Sequence, residues 1–381
     1  RVNTGLSGEK NIEPREDAFD ITVASEVMAI LCLATDIEDL KNRLGNIVIG
    51  YNHKNNPIFA KDLKAEGAMT VLLKDAIKPN LVQTLEHSPA IIHGGPFANI
   101  AHGCNSIIAT KTAMKLADYA ITEAGFGADL GAEKFLDIKC RQANIQPNVV
   151  VCVATIKALK YHGGVSKEHI LEENMEALEK GMSNLYKHVD NIRGKFGLNI
   201  IVAINKYNTD SEKEIEFVQN ELEKREIMSS VVESWAKGGE GAIDISNKII
   251  DLAEKENKFE YMYALEETIV EKINNVAMRI YGAKGVIYPE DVTKKIEKIE
   301  EMGYGNLPIC IAKTQYSFSD DAKNLECDEP FEINVRDVEL KAGAGFIVVL
   351  AGKIMTMPGL PKIPAAESID IDENRKITGI F

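Results

Sequence analysis

The chain lacks the features that mark several large classes of protein. Within its 381 residues there is no hydrophobic run long enough to span a bilayer and no C-x-x-C pair. Lysine and arginine number 44 against 58 aspartates and glutamates, which gives a net charge of −14. No basic stretch is interleaved with aromatic residues. These absences argue against a membrane protein, against a C-x-x-C zinc site and against nucleic acid as a partner.

Cysteine is scarce and unpatterned. Several of the six cysteines lie inside apolar runs, and no Cys/His spacing indicates a metal site. The sequence therefore predicts reduced, mostly buried thiols in a cytoplasmic protein with no bound metal of this kind. The six are Cys32, Cys104, Cys140, Cys152, Cys310 and Cys327.

Two further features are absent: the usual signals at the start of a chain, and a loop that binds nucleoside triphosphates. The first ten residues, RVNTGLSGEK, contain no initiator methionine, signal peptide or obvious helix cap. The loop G-x-x-x-x-G-K-[ST], which holds a nucleoside triphosphate, occurs nowhere in the sequence. These observations favour the interpretation that the chain is a piece whose beginning has been removed or is encoded elsewhere.

What is present is an alternation of apolar strands and amphipathic helices. Continuous apolar strands such as NVVVCVA predict a parallel sheet covered on both faces. Residues 21–44 have the period of a helix, and residues 46–63 read as a hairpin with its turn at 52–57. PAIIHGG and DYAITEAG read as further strands, and NIAHGCNSIIATKTAMKLA reads as a helix.

The second half of the chain changes in style. The charged stretch from Ser166 to about Lys195 is interpreted as a solvated connector. Asp210 and Ser211 are candidate N-caps for the helix that follows the strand ending near Asn205. From about Tyr288 a charged helix and several short strands predict a third, β-rich unit.

Two glycine-rich segments are the clearest candidates for ligand binding. They read HGGPFANIAHG over residues 93–103 and TEAGFGADLGAEKF over 122–135, each between an apolar run and a helix-like stretch. Backbone N–H groups at such turns bind phosphates and nucleotides. Gly125 and Gly127 permit close approach of the backbone, and Phe126 is able to stack on a flat base. The spacing is one residue too long for the dinucleotide fingerprint, so a tight turn with Phe126 in the core remains the alternative.

Two other strand ends carry aromatic residues. Asn205-Lys206-Tyr207-Asn208 resembles the guanine-reading tetrad N-K-x-D but lacks its aspartate, so Tyr207 is either a rim aromatic or a stacking platform. Trp235, the only tryptophan, precedes a glycine-rich turn, where a tryptophan often faces a pocket. Two aromatics at neighbouring strand ends could sandwich a flat heterocycle. Lys237, His93, His102 and His162 are candidates for either structural or chemical roles.

Several long motifs together closely resemble formate–tetrahydrofolate ligase, also called formyltetrahydrofolate synthetase. The resemblance extends from about Val2 to Phe381, and motifs of this length and number are highly specific. They include PREDAFDITVASEVMAILCLA, KDAIKPNLVQTLEHSPAIIHGGPFANIAHGCNSIIATKTAMKLADY, TEAGFGADLGAEKF, SWAKGGEG, AKTQYSFSDDA and GKIMTMPGLPKIPAAESIDID.

The resemblance implies an activity, a fold and partners. In this family ATP drives the joining of formate to N10 of tetrahydrofolate through formyl phosphate. The implied fold class is α/β: the remainder of a large P-loop-type α/β domain (1–193) plus two smaller domains with mixed β-sheets and helices (194–284, carrying the folate-stacking aromatics, and 285–381, β-rich). The family also implies Mg-ATP, a monovalent cation (potassium or ammonium), a homotetramer and a cytoplasmic location.

The resemblance further implies site residues. Trp235 and Tyr207 match the aromatic pair that stacks on the pterin, with tyrosine where the family has phenylalanine and Asn208 where it has proline. The loss of that proline puts the rigidity of the loop in doubt. Gly125, Phe126 and Ala128 match the segment beside the adenine.

The family's phosphate-loop lysine and threonine, and the arginine and tyrosine assigned to formyl phosphate, lie upstream of Arg1. The catalytic residues are thus unassigned in this chain, and we expect the chain alone to be inactive without that N-terminal segment. The alternatives are a non-catalytic module that binds folate or nucleotide and, less favoured because G-x-G-x-x-G is absent, a folate-linked NAD(P) oxidoreductase.

Overall fold

The computed structural model describes residues 2–4, 14–17, 20–54, 56–325, 330–356 and 362–379. Cys327 lies outside the described residues. The chain divides into two compact units: Val23–Ile354, and a terminal unit of Arg1–Thr22 with Met355–Phe381.

Among the described residues, the α-helices lie between residues 26 and 301. They are α1 (Glu26–Leu33), α2 (Ile37–Gly45), α3 (Glu66–Leu73), α4 (Ile107–Leu116), α5 (Gly131–Lys134), α6 (Arg141–Ala143), α7 (Ile156–His162), α8 (Met175–Asp190), α9 (Glu212–Lys224), α10 (Ser234–Lys237), α11 (Ile243–Ala253), α12 (Ile269–Asn275) and α13 (Glu290–Glu301). Wider π-helical turns continue α5, α8 and α12 over Phe135–Cys140, Asn191–Lys195 and Val276–Tyr281.

The strands are distributed over several small sheets. They are β1 (Val2–Thr4), β2 (Arg15–Asp17), β3 (Val48–Tyr51), β4 (Pro57–Phe59), β5 (Asn80–Gln83), β6 (Pro89–Ile92), β7 (Val149–Ala154), β8 (Asn199–Asn205), β9 (Ser229–Val232), β10 (Val286–Ile287), β11 (Ile309–Ala312), β12 (Ile333–Lys341), β13 (Phe346–Ala351), β14 (Asp370–Ile371) and β15 (Ile377–Thr378). The terminal unit contains two antiparallel pairs, β1 with β2 and β14 with β15.

A three-stranded parallel sheet in the order β7-β8-β9 confirms the expected parallel sheet. Alternate side chains of a strand point to opposite sides of the sheet, and on the central strand β8 both sets are buried. Ile200, Val202 and Ile204 pack into the main core, and Ile201 and Ala203 into a smaller cluster under α11. On β7 the second face is less covered than expected, since 64% of Val153 is exposed.

A four-stranded mixed sheet near the end of the chain has the order β10-β12-β13-β11, and the third, β-rich unit stays a prediction. β12 and β13 are antiparallel, whereas β10 and β11 pair in parallel with them. Every residue of β11 and β13 is buried, although β11 lies at the edge of this sheet, so both faces of these strands are covered.

The charged stretch from Ser166 to Lys195 is not a solvated connector. Its helix α8 buries Leu178, Met182 and Val189 in the main core, while its charged residues face outward. The sequence carries this apolar stripe at helical spacing, and the density of charge around it concealed it. The main core includes side chains from both sides of residues 193 and 284, and the three-domain boundaries stay predictions.

Two further strand and helix predictions were wrong. Residues 21–44 form two helices, because α1 ends at Ala34 and Asp36 caps α2 by accepting from the Asp39 N–H at 2.8 Å. DYAITEAG forms no strand and contributes only an isolated bridge between Ala124 and Cys104. PAIIHGG does contain a strand, but β6 pairs antiparallel with β5 in a separate hairpin.

Other predictions are confirmed. β3 and β4 form the expected hairpin around 52–57. Ser211 caps α9 in a capping box with Glu214, in which the Ser211 hydroxyl accepts from the Glu214 N–H at 3.2 Å. The predicted helix in 99–117 begins only at Ile107. In the part of the chain that the structure describes, no helix is both long and apolar enough to cross a membrane.

The close packing of α7 against α8 provides a test of this core. A Cβ atom added to Gly181 would lie 1.9 Å from the Leu159 carbonyl oxygen, whereas one added to Gly67 in α3 would meet nothing within 4 Å. We expect Gly181→Ala to lower the free energy of unfolding by about 1–3 kcal/mol through overpacking. Gly67→Ala, the matched control, should leave it within about 1 kcal/mol or raise it. Urea unfolding followed by circular dichroism checks both; equal stabilities would contradict this packing.

Candidate functional site

Two aromatic rings lie at one edge of the parallel sheet. β8 and β9 are paired up to Asn205 and Val232, and Tyr207 and Trp235 follow these paired residues directly. Because the carboxyl ends of parallel strands meet at the same edge, both rings lie where open α/β sheets bind ligands. Tyr207 is 40% exposed and Trp235 is 85% exposed. We call this edge, with Lys206, Tyr207, Glu233 and Trp235, the strand-end face.

The Tyr207 loop is held by a local hydrogen bond. The Tyr207 N–H donates to Asp210 Oδ2 at 2.8 Å, and the Asp210 N–H donates back to the Tyr207 carbonyl at 3.1 Å. The Lys157 ammonium at the start of α7 lies 4.5 Å from the centre of the Tyr207 ring. This cation–π contact fixes one face of the ring. The Asp210 bonds order the turn without the proline that the resemblance led us to expect at Asn208.

Charged side chains pair beside the two rings. Lys206 forms an ion pair with Glu212, and its Nζ lies 3.9 Å from Glu233 Oε1. Glu233 also pairs with Lys237 at 2.5 Å. The hydrogen bond with Glu212 raises the pKa of Lys206, and that with Lys237 lowers the pKa of Glu233. Lys237 is thus an ion-pair partner at this face.

The two glycine-rich segments pack directly on one another. The Gly125 N–H donates to the Gly103 carbonyl at 3.0 Å. A Cβ atom on Gly131 would lie 2.0 Å from the Gly125 carbonyl oxygen, so only glycine permits this approach. Phe97 and Phe126, one from each segment, meet edge to face at 5.9 Å between ring centres. The segments that sequence patterning singled out separately therefore form one loop cluster.

Phe126 is a surface residue in an unfavourable backbone conformation. Its φ is +61°, a region that bulky residues rarely adopt, and 49% of its surface is exposed. The alternative that placed Phe126 in the core is therefore wrong. Backbone strain of this kind concentrates at ligand sites, where the surrounding structure maintains it. Gly125 and Ala128 are partly buried on either side of the exposed ring.

Charged side chains are buried beneath this loop cluster. Lys134, which is fully buried, donates to the Ala98 carbonyl, and Lys139 donates to the Thr110 hydroxyl at 2.8 Å. Asp129 and Lys313 form a buried ion pair at 2.8 Å. Burial raises the pKa of Asp129, but Lys313, His188 and Lys134 together outweigh burial and hold that pKa below its usual range.

Two buried carboxylates, those of Glu133 and Asp137, were not identified from the sequence. Neither carboxylate oxygen of Glu133 has a hydrogen-bond partner among the described residues, and burial raises its pKa well above the usual value. Burial likewise raises the pKa of Asp137 to about 7, although its carboxylate accepts from the Met262 N–H at 2.9 Å. The signal was available: the charged residues of AEKFLDIKC surround the helix, so some of them must face the core.

Both histidines of the first glycine-rich segment are buried. His93 is buried between the Ser106 hydroxyl, 2.6 Å from its Nδ1, and the Ala76 carbonyl, 2.7 Å from its Nε2. His102 is fully buried, and neither ring nitrogen has a partner among the described residues. Burial, with nearby Lys139 and Lys134, lowers the pKa of His102 to about 3.

The residues of the loop cluster suit the base of a nucleotide better than a metal ion. Phe126 offers an exposed ring for stacking, and the adjoining glycines allow close backbone approach. Asp129 is committed to Lys313, and within the described ranges no group of three or more His, Cys, Asp or Glu side chains is arranged to hold a metal. The described residues of the loop cluster therefore provide no magnesium site of their own.

The fold is α/β, and the strand-end face lies at the carboxyl ends of a parallel sheet, where open α/β sheets bind ligands. The sequence model of the family described as formate–tetrahydrofolate ligase matches residues 1–381. The chain therefore belongs to the formate–tetrahydrofolate ligase family, which implies formate, ATP and tetrahydrofolate as substrates and ATP-dependent ligation as the reaction.

The neutral, buried His102 predicts an acid-sensitive stability. Its pKa of about 3 lies below the value of about 6.5 in an unfolded chain, so the unfolded state binds the proton first as pH falls. The stabilisation is fully present above pH 6.5 and is lost as pH falls towards 3, at about 1.4 kcal/mol per pH unit. Unfolding of the wild type takes up a proton at His102, and we expect His102→Leu to remove this uptake of one proton. Urea unfolding at pH 7, 6 and 5 measures it as a smaller slope of the free energy of unfolding against pH. Exposed His53→Leu is the control; an unchanged slope in His102→Leu would contradict the buried neutral ring.

Proposed function

We propose that this chain carries the folate site of a ligase that joins formate to N10 of tetrahydrofolate through formyl phosphate, with ADP and phosphate released. One observation supports this most: Tyr207 and Trp235 are both exposed at the ends of paired parallel strands. Aromatic rings at such an edge offer a flat heterocycle two stacking surfaces. Family membership makes the pterin ring the heterocycle that fits.

The two stacking residues would contribute unequally. Tyr207 is held by Asp210 and by the Lys157 ammonium, so little conformational entropy is lost when a ligand stacks on it. Trp235 is far more exposed and belongs to the short helix α10, followed by a glycine turn. Its large apolar surface supplies more binding energy, but only once its loop is positioned.

The loop cluster would hold the nucleotide. Gly125 and Ala128 flank the exposed ring of Phe126, which stacks on adenine in the proposed complex. The buried Asp129–Lys313 pair directly follows this turn and fixes it to the carboxyl end of β11. A rigid support of this kind keeps the strained Phe126 in place before ATP binds.

The proposed reaction has two displacements. A formate oxygen attacks the γ-phosphorus of ATP and ADP leaves; N10 of tetrahydrofolate then attacks the formyl carbon, phosphate leaves and the amine loses a proton. The first step depends on positioning and charge neutralisation, and the second on excluding water from the mixed anhydride. In this chain Tyr207 and Trp235 orient the folate, and Phe126 orients the adenine. Mg-ATP, a monovalent cation, a homotetramer, a cytoplasmic location and the boundaries after 193 and 284 belong to the same proposal.

Tetrahydrofolate binding tests the stacking pair. We expect calorimetric titration of tetrahydrofolate into this chain to show binding that Trp235→Ala weakens about tenfold or more, because a stacked aromatic contributes about 1–3 kcal/mol. Tyr207→Ala should weaken it by a smaller factor. Tyr119→Ala, which removes another exposed tyrosine, is the control. Equal affinity in all three variants and the wild type would refute the sandwich.

Activity tests the rest of the proposal. Because no G-x-x-x-x-G-K-[ST] loop occurs in these 381 residues, we expect the chain alone to form no 10-formyltetrahydrofolate from formate, ATP and tetrahydrofolate. Adding an upstream segment that carries the phosphate loop should restore turnover. Turnover by the chain alone would contradict its proposed inactivity. Folate binding without turnover under both conditions would favour a non-catalytic binding module.

A further inference from the structure

The hairpin of β5 and β6 reaches from the loop cluster to the strand-end face. Its strands pair from Asn80 with Ile92 to Gln83 with Pro89, and β6 leads directly into the glycine-rich segment at His93. Its turn is exposed: Leu85 is 99% exposed, and His87 adopts a left-handed conformation with φ +62°. An exposed two-stranded hairpin has little core of its own, so its position depends on contacts at its base and tip.

The base of the hairpin is fixed to buried structure. His93 is held between Ser106 and the Ala76 carbonyl, and the Asn105 side-chain amide donates to the Ile91 carbonyl at 3.3 Å. Ser106 also caps α4 by accepting from the Ala109 N–H at 3.0 Å. The hairpin therefore extends from the hydrogen-bonded start of helix α4, at the edge of the loop cluster.

The tip of the hairpin contacts the Trp235 loop through one carboxylate. Glu86 Oε1 accepts from the Gly239 N–H at 3.0 Å, although the two residues are 153 positions apart. A Cβ atom built on Gly238 would lie 2.1 Å from the same oxygen, and Gly238 has φ +59°. The positive φ favours glycine at this position, and a side chain there would displace the Glu86 carboxylate.

The lysine beside this turn is paired with another carboxylate, and Glu86 binds a backbone N–H instead. Lys237, the nearest lysine in sequence to this turn, is paired with Glu233, and Glu233 also donates its N–H to the Gly241 carbonyl at 3.1 Å. The glycine turn after α10 is thus held from inside by Glu233 and from the hairpin by Glu86. A hydrogen bond to a charged acceptor is about twice as strong as a neutral one.

We propose that Glu86 is a positioning residue for Trp235, and that the β5–β6 hairpin is a strap between the glycine-rich loop cluster and the Trp235 loop. By accepting from Gly239, the carboxylate fixes the end of α10 and with it the orientation of the tryptophan ring. The strap would thereby link the geometry of the nucleotide side to that of the folate side. The role in folate binding rests on the proposed function, whereas the effect on Trp235 does not.

The only tryptophan of the chain reports on this contact directly. In the full chain we would compare the wild type with Glu86→Ala, Glu86→Gln and Glu86→Asp. Glutamine keeps the reach and an acceptor oxygen, whereas aspartate keeps the charge but is one methylene shorter. Leu85→Ala, at the same exposed tip, is the matched control. The readouts are the anisotropy and acrylamide quenching of Trp235 fluorescence, and the affinity for tetrahydrofolate by calorimetry.

We expect Glu86→Ala and Glu86→Asp to lower the anisotropy, to increase quenching and to weaken tetrahydrofolate binding about tenfold, in line with the loss of a charge-assisted hydrogen bond. Glu86→Gln should retain most of the wild-type behaviour, and Leu85→Ala all of it. Wild-type fluorescence in both Glu86→Ala and Glu86→Asp would overturn the strap. Altered fluorescence with unchanged folate affinity would keep the strap but remove its role in binding; unchanged affinity in Trp235→Ala would refute the folate site alone.

Discussion

The candidate nucleotide site depends on the burial of charged side chains beneath the glycine-rich loops. Burying an ammonium group is costly unless it is paired or hydrogen-bonded. Here Lys134 is satisfied by the Ala98 carbonyl, Lys139 by the Thr110 hydroxyl and Lys313 by Asp129. The Lys134 and Lys313 bonds tie the glycine-rich loops to other parts of the core, and the Lys139 bond joins the two helical segments beneath them. Because a lysine that lost its partner would be left unpaired in the interior, the loops have few alternative conformations, and the strained turn at Phe126 is maintained.

The strand-end face follows a different principle. Its two rings are placed by the pairing of β8 with β9, which brings the ends of two distant segments to one edge of the sheet. Its charged side chains are partly or fully exposed, and ion pairs in contact with solvent contribute little to stability. A well-packed sheet therefore positions a polar and adaptable surface, and the ordering of that surface is left to local bonds such as those of Asp210 and Glu86. This division between a rigid scaffold and adjustable loops is common in ligand-binding α/β proteins.

The sequence predicted the strands and helices whose patterns were complete within the segment. β8 and α9 were found because the apolar run and the Ser211 cap are local signals. The predictions failed where the structure of a segment depends on the surface that packs against it. DYAITEAG has the composition of a strand but finds only a single bridge at Ala124, and α8 was taken for a solvated helix because charge surrounds its apolar stripe. Neither outcome can be obtained from local propensity, since both depend on which surface lies opposite.

The sequence by itself determined the family, the α/β class and the residues at the ends of the strands, because motifs, apolar periods and glycine turns are local properties of the chain. Tertiary structure alone decided that Phe126 is exposed, that Lys134 and Glu133 are buried, and that Glu86 meets Gly239. The contact of Glu86 with Gly239 joins residues that are 153 positions apart. Exposure, burial and such contacts are determined when the core closes, because folding fixes the distances between groups and their dielectric environment. No spacing in the sequence encodes either quantity.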